Sequence, residues 1–189
     1  TKDSIRLIQI SNNLGVLFEK NSVFDLAKKW YIQSESLAKE LGDERSYYIA
    51  RINQAILARK TGDFVYSESL FEECKPYMET KGTINERAKF YEAFGVLFRS
   101  TGRNKQGINL YIKALNVCQL LGDEVGLANL YRNLGLCYLD LNQVDKAKEN
   151  LEKALGFATK NNLQDQVQSL LYDLYEWHKK KGDTKAALT

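Results

Sequence analysis

The stretch LYRNLGLCYLDLNQVDKAKENLEKAL, Leu130–Leu155, holds two amphipathic helical patterns back to back and decides the fold. Leu130, Leu134 and Tyr138 fall four apart, with Tyr131 three before Leu134. That spacing is one apolar stripe of a helix with about 3.6 residues per turn. The polar turn Leu141-Asn142-Gln143 interrupts it. A second stripe then runs Val144, Ala147, Leu151, Ala154 and Leu155, ending before Asn161-Asn162. Gly135 inside the first stripe costs about 1 kcal/mol against Ala, a cost that is tolerable where another helix passes close by. Ala147 and Ala154 offer small surfaces for that approach, so the two stripes read as a tight helical hairpin.

Working outward, a shift of 40 residues brings the same chemistry back. Gly135 falls on Gly95, Ala55 and Gly15. Tyr138 falls on Phe98, Ala58 and Phe18. Ala147 falls on Gly107, Ser67 and Ala27, all small, and Leu151 on Tyr111, Phe71 and Tyr31, all large. Ala154 falls on Ala114, Cys74 and Ser34, small again. Small and large positions keep phase through four copies, which generic amphipathicity does not require. A fifth copy starts near Leu163, with Tyr175, His178 and Ala187 in register, and stops at Thr189.

The spacing Tyr131, Leu134-Gly135, Tyr138, Ala147, Leu151, Ala154 resembles the tetratricopeptide repeat. The unit here is longer than the family's usual ~34 residues and is similar to the variants in kinesin light chain, Pins-type scaffolds and bacterial peptide-pheromone receptors and sensors. The second copy departs from the pattern, with Arg51 where an aromatic is usual and Gln54 where Leu is usual. The resemblance implies an all-α fold, a right-handed α-solenoid of stacked helical hairpins. Four full repeats, 3–42, 43–82, 83–122 and 123–162, and a truncated fifth, 163–189, would form one domain over 1–189.

Local signals agree. Gly42-Asp43 and Gly122-Asp123 close one unit and cap the next, and Gly62-Asp63 and Gly182-Asp183 do the same inside hairpins. Ile5, Ile8, Leu14 and Phe18 are expected to face inward from the first helix. Pro76 removes a backbone donor late in the fourth helix and predicts a kink or an early end there. The residues after Asp183 are too few for a full closing helix, so the fifth unit's partner surface is expected to be exposed or supplied from elsewhere.

Composition excludes several classes. A net charge of +3 shows no nucleic-acid footprint. No apolar run reaches the ~18 residues of a membrane span. The start, Thr1-Lys2-Asp3, has neither an apolar signal region nor an initiator Met, so the sequence is expected to be part of a longer protein. Cys74, Cys118 and Cys137 lie on or beside apolar stripes with no CxxC pair, which reads as buried free thiols in a reducing cytoplasm. His178, the sole histidine, occupies the slot of Tyr138 and Phe98 and is read as a packing residue. There is no phosphate loop, no nucleophile beside a base and no metal-ligand set, so neither catalysis nor a cofactor is expected.

Function is sought in the first helices, outside the buried stripe. Val16, Ile56, Val96 and Leu136 form an apolar line. Asn13, Asn53 and Asn133 form a second, broken by Ala93, and Glu19, Arg59, Arg99 and Leu139 a third. Carboxamides can grip a peptide backbone of any sequence, the apolar line can take alternate side chains, and Arg59, Arg99 and Arg132 can hold acidic groups. In the long-repeat proteins, asparagines at the place of Asn13, Asn53 and Asn133 hold a peptide in this way. The carboxylate clamp of cochaperones is absent, because Val16 and Val96 stand where it wants Asn. The expected function is a cytoplasmic protein- or peptide-binding scaffold, the regulatory part of a larger bacterial signalling protein. Two alternatives stand beside it: a receptor for a short signalling peptide, and a spacer or homodimer joined through the C-terminal repeat.

Overall fold

A computed structural model describes residues 2–182. Helices α1 (Lys2–Lys20), α2 (Phe24–Glu40), α3 (Glu44–Lys60) and α4 (Phe64–Thr80) belong to one compact unit, Thr1–Thr83. Helices α5 (Ile84–Ser100), α6 (Asn104–Leu121), α7 (Glu124–Asp140), α8 (Val144–Lys160) and α9 (Gln164–Lys181) belong to a second, Ile84–Thr189. The described residues are thus all-α, antiparallel hairpins stacked within each unit, as the forty-residue period predicts. Ala187 and the expected closing segment of the fifth repeat lie outside the described residues.

The phase of small and large residues is the packing rule. A Cβ on Gly15 would lie 2.5 Å from the Tyr31 ring, one on Gly95 2.6 Å from Tyr111, and one on Gly135 2.7 Å from Leu151. Each bare Cα is therefore filled by the large residue of its own hairpin mate, sixteen positions on. The small residues of the second helices complete the contact. Ala27, Ser67, Ala147, Ser34, Cys74, Ala114 and Ala154 are all fully buried, and Ser67 Oγ donates to the Ala55 carbonyl at 2.7 Å. Close approach at these points lets dispersion contacts accumulate along the whole hairpin.

Turns obey the same period. In the turn after each hairpin's first helix one residue takes a left-handed conformation: Ser22, Gly62, Gly102, Asn142 and Gly182. Asp43, Asp63 and Asp123 accept hydrogen bonds from the amides of Ser46, Tyr66 and Gly126 at 3.0, 3.1 and 2.9 Å, the N-caps their position predicts.

One local expectation fails, and of the two outcomes expected at Pro76 the early end does not occur. Ile5, in the first turns of α1, is exposed, while Ile8, one turn later, is buried. Pro76 does not end α4, which continues to Thr80. The proline sits on the exposed side, where water can satisfy the Glu72 carbonyl that it leaves without a donor, and Thr80 Oγ1 bonds its own carbonyl at 2.7 Å.

The divergent residues of the second repeat are matched by polar partners on α2 and α4. Arg51 Nη1 donates to Glu35 Oε1 at 3.3 Å and Nη2 to Glu73, Gln54 Nε2 donates to Glu35 Oε2 at 2.6 Å, and the Tyr47 hydroxyl reaches Glu73 at 3.3 Å. In α9, Trp177 is buried and its indole N–H donates to the Val144 carbonyl, with the half-buried His178 packed edge-on at 4.6 Å.

Candidate functional site

Adjacent first helices within a unit face one another at a fixed offset. In the first unit, Asn53 Nδ2 on α3 donates to Asn12 Oδ1 on α1 at 2.7 Å, and Lys60 Nζ lies 2.7 Å from Glu19 Oε1. In the second, Arg132 Nε on α7 donates to Asp173 Oδ2 on α9 at 2.6 Å. Each pair joins residues 41 apart, one repeat plus one position. The extra step arises because neighbouring helices are displaced along their axes, so position i meets its repeat equivalent's successor.

This ladder redistributes the residues singled out by sequence. Asn13 is exposed, Asn53 is bonded to Asn12, and Asn133 is half-buried. Val16, Ile56, Val96 and Leu136 are all half-buried. Val16 packs on a core of Ala27, Tyr31 and Leu57, and Leu136 on one containing Leu151 and Trp177, so part of the apolar line belongs to packing. Arg132 is committed to Asp173, and Arg59 is half-buried and already engaged. Glu19 is held by the Tyr31 hydroxyl at 2.7 Å as well as by Lys60, and Leu139 is buried. Arg99 is half-buried. Its Nε and the hydroxyl of the fully buried Tyr111 both lack a hydrogen-bond partner.

Each unit carries an open cleft at the same register. One of about 270 Å³ between α1 and α3 is lined by Gln9, Asn12, Asn13, Arg45, Ser46 and Ile49. Eighty residues on, one of about 170 Å³ between α5 and α7 is lined by Asn85, Lys89, Glu92, Cys118, Asp123 and Asn129. Lys89 and Glu92 stand at the places of Gln9 and Asn12, and Asn129 at that of Ile49. Gln9, Asn12, Asn85 and Asn129 were not among the residues picked out by the forty-residue lines. The signal was present: Gln9 precedes Asn13, and Asn129 precedes Asn133, by one helical turn on the same face.

Electrostatics differ between the clefts. Burial raises the Glu92 carboxyl above the usual carboxylate range, Asp123 adds to the shift, and Lys89 opposes it. Burial pushes the Cys118 thiol to about 11, with Asp123 contributing, and the Cys74 and Cys137 thiols to about 12. All three are free and buried. Among the described residues, no group of three or more His, Cys, Asp or Glu side chains is placed to hold a metal ion, and no helix is long and apolar enough to cross a membrane.

Comparison with known proteins agrees with this geometry. Residues 86–160 match the tetratricopeptide repeat family. The regulatory protein RapK of Bacillus subtilis (strain 168) is 27% identical over 140 residues, 71% of this chain and 35% of that protein. The chain spans about a third of the length of the curated relatives it matches. Among solved structures, BtubC (BKLC) from P. vanneervenii superposes with a TM-score of 0.80 at 22% identity, covering 98% of this chain and 78% of that one. The apo form of RapI gives 0.81 at 17% identity, covering 96% and 66%. The likeness to these two structures is one of fold.

Proposed function

Since this chain is a tetratricopeptide-repeat protein of the long, forty-residue kind, we propose that it is a non-catalytic scaffold that binds a protein or extended peptide along the first helices of its hairpins. One observation carries the reading: a polar cleft recurs between adjacent first helices at the same register in both units, with carboxamides on its walls. A carboxamide offers a donor and an acceptor on one planar group, as a peptide backbone does, and so holds a chain without reading its side chains. Half-buried Ile56 and Val96 supply apolar surface beside it. The likeness to RapK supports a regulatory role within a larger bacterial signalling protein, working in a reducing cytoplasm where the three thiols stay free.

The test is selection of random dodecapeptides against the chain, followed by fluorescence anisotropy of the peptides recovered. Asn13→Ala and Asn129→Ala together are expected to weaken binding by about tenfold, close to the worth of one charge-free backbone clamp, with helicity by circular dichroism unchanged. Recovery of no binder, or binders indifferent to both substitutions, would overturn the reading.

A further inference from the structure

Three rungs of the first-helix ladder are closed within the molecule: Asn12 with Asn53, Glu19 with Lys60, and Arg132 with Asp173. The same offset of 41 pairs Glu92 with Asn133 and Arg99 with Asp140 across α5 and α7. No hydrogen bond or ion pair closes either of these two pairs among the described residues, and Arg99, whose guanidinium lies beside the Tyr111 hydroxyl, keeps an Nε without a partner. Both rungs of this helix pair are therefore open.

The first unit shows what a closed rung looks like at the place of Arg99. There a buried tyrosine packed on a glycine, Tyr31 on Gly15, donates its hydroxyl to a carboxylate, Glu19, which also takes the cation Lys60. Eighty residues on, Tyr111 packs on Gly95 in the same way, and Arg99 replaces Glu19. The tyrosine and a cation are present, and the carboxylate between them is not. Asp140, at the place of Lys60, is exposed.

We propose that the α5–α7 face docks an acidic residue of a partner polypeptide, with the Arg99 guanidinium as its anchor. The proposal rests on the peptide-binding reading above and names the chemistry of the ligand. A half-buried guanidinium with an unpaired Nε is costly, and a carboxylate is the group that relieves it best, through paired charge-assisted bonds. Tyr111, fully buried behind Arg99, is a positioning residue that limits how far the guanidinium can withdraw. Register follows from the rest of the face. Glu92 and Asp123 at the cleft repel an acid there, and Glu92 precedes Arg99 by two helical turns, about 10 Å. Val96, one turn before Arg99, and Asn133 opposite supply an apolar contact and a backbone grip between the two ends. An acidic side chain is thereby directed to the C-terminal end of α5.

The probe is acetyl-Ala-Ser-Glu-Ala-Ser-amide, compared with its Gln counterpart, titrated into isotope-labelled chain and followed by NMR. The Glu peptide is expected to move the Arg99 side-chain Nε–H and the Val96 amide, and to bind about tenfold more tightly than the Gln peptide. Arg99→Gln should abolish that preference, Arg99→Lys should keep part of it, and Asp140→Asn should strengthen binding by removing a like charge. Arg99→Lys also serves as the folding control. Equal binding of the two peptides that still depends on Asn133 would overturn the acid preference and leave the peptide groove standing. No shift from either peptide, in a chain whose spectrum is that of a folded protein, would overturn the proposal together with a groove at this face. A preference surviving Arg99→Gln would overturn the anchor.

Discussion

Glu35 on α2 and Arg51 on α3 meet at 3.3 Å, and Gln54 completes the contact by donating to the other carboxylate oxygen at 2.6 Å. Eighty residues on, the same three places hold Leu115, Tyr131 and Leu134. Three apolar residues have been exchanged together for three polar ones that satisfy each other, which is why a repeat with so few of the expected residues keeps its place in the stack. Polar sets of this kind stand or fall as a unit.

Arg51→Met alone should therefore destabilise the first unit by roughly 1–3 kcal/mol, the cost of leaving the partly buried Glu35 carboxylate without its cation. The Arg51 and Glu35 side chains are only 18% and 20% exposed, so solvent screening reduces this little. The triple replacement Glu35→Leu, Arg51→Tyr, Gln54→Leu installs the set found eighty residues on and should return close to native stability. Urea denaturation monitored by circular dichroism distinguishes the two. A triple variant as unstable as the sum of its single changes would show that the three residues act separately.

Two helical glycines should respond in opposite directions to the same change. At Gly95, an added Cβ would meet the Tyr111 ring at 2.6 Å, and the ring is locked in a fully buried position. Gly95→Ala should cost about 1–3 kcal/mol, as overpacking does in dense interiors. At Gly156, inside α8, nothing lies within 4 Å of the added atom. Gly156→Ala should stabilise by about 0.5–1 kcal/mol through helix propensity and a less flexible unfolded chain. Thermal melts of both variants check this, and two shifts of the same sign would contradict the close-approach account of the repeat.

These glycines also mark how far sequence reasoning reaches. The hairpin contact joins Gly95 to Tyr111 and Gly135 to Leu151, always sixteen positions apart within one repeat, so it leaves a strict phase of small and large residues that the chain displays openly. The candidate site obeys another offset. Asn12 with Asn53 and Arg132 with Asp173 join different repeats at 41 residues, and an alignment in steps of 40 sets each residue beside its equivalent rather than beside its partner. Arg132 thus reads as a free cation in the sequence and is an internal ion pair in the fold. Arg99, in the third line of the same reading, keeps an Nε without a hydrogen-bond partner. The early end expected at Pro76 is absent for a different reason: propensity records the lost donor, while tolerance depends on which side of the helix faces water.

Glu92 gives the second unit a dependence on pH whose sign follows from its surroundings. It lies on α5 in the cleft with Asp123, Cys118 and Lys89, and Tyr111 of α6 senses its charge. Burial first and Asp123 second raise its pKa above the ordinary carboxylate value, with Lys89 offsetting part. A raised carboxyl means that the folded state binds the proton more tightly than the unfolded chain. Below the ordinary carboxylate range both states are protonated and burial carries no charge penalty. As pH rises through that range the unfolded chain ionises first, and stability is lost until folded Glu92 ionises as well. Glu92→Gln is neutral at every pH and escapes this loss. Its melting temperature relative to the native chain should be higher at about pH 7.5 than at about pH 3.5. Groups elsewhere titrate alike in both proteins, so the difference between them isolates Glu92 and its coupling to Asp123. A difference constant across that interval would mean that Glu92 is solvated in the folded protein and that the cleft does not hold it.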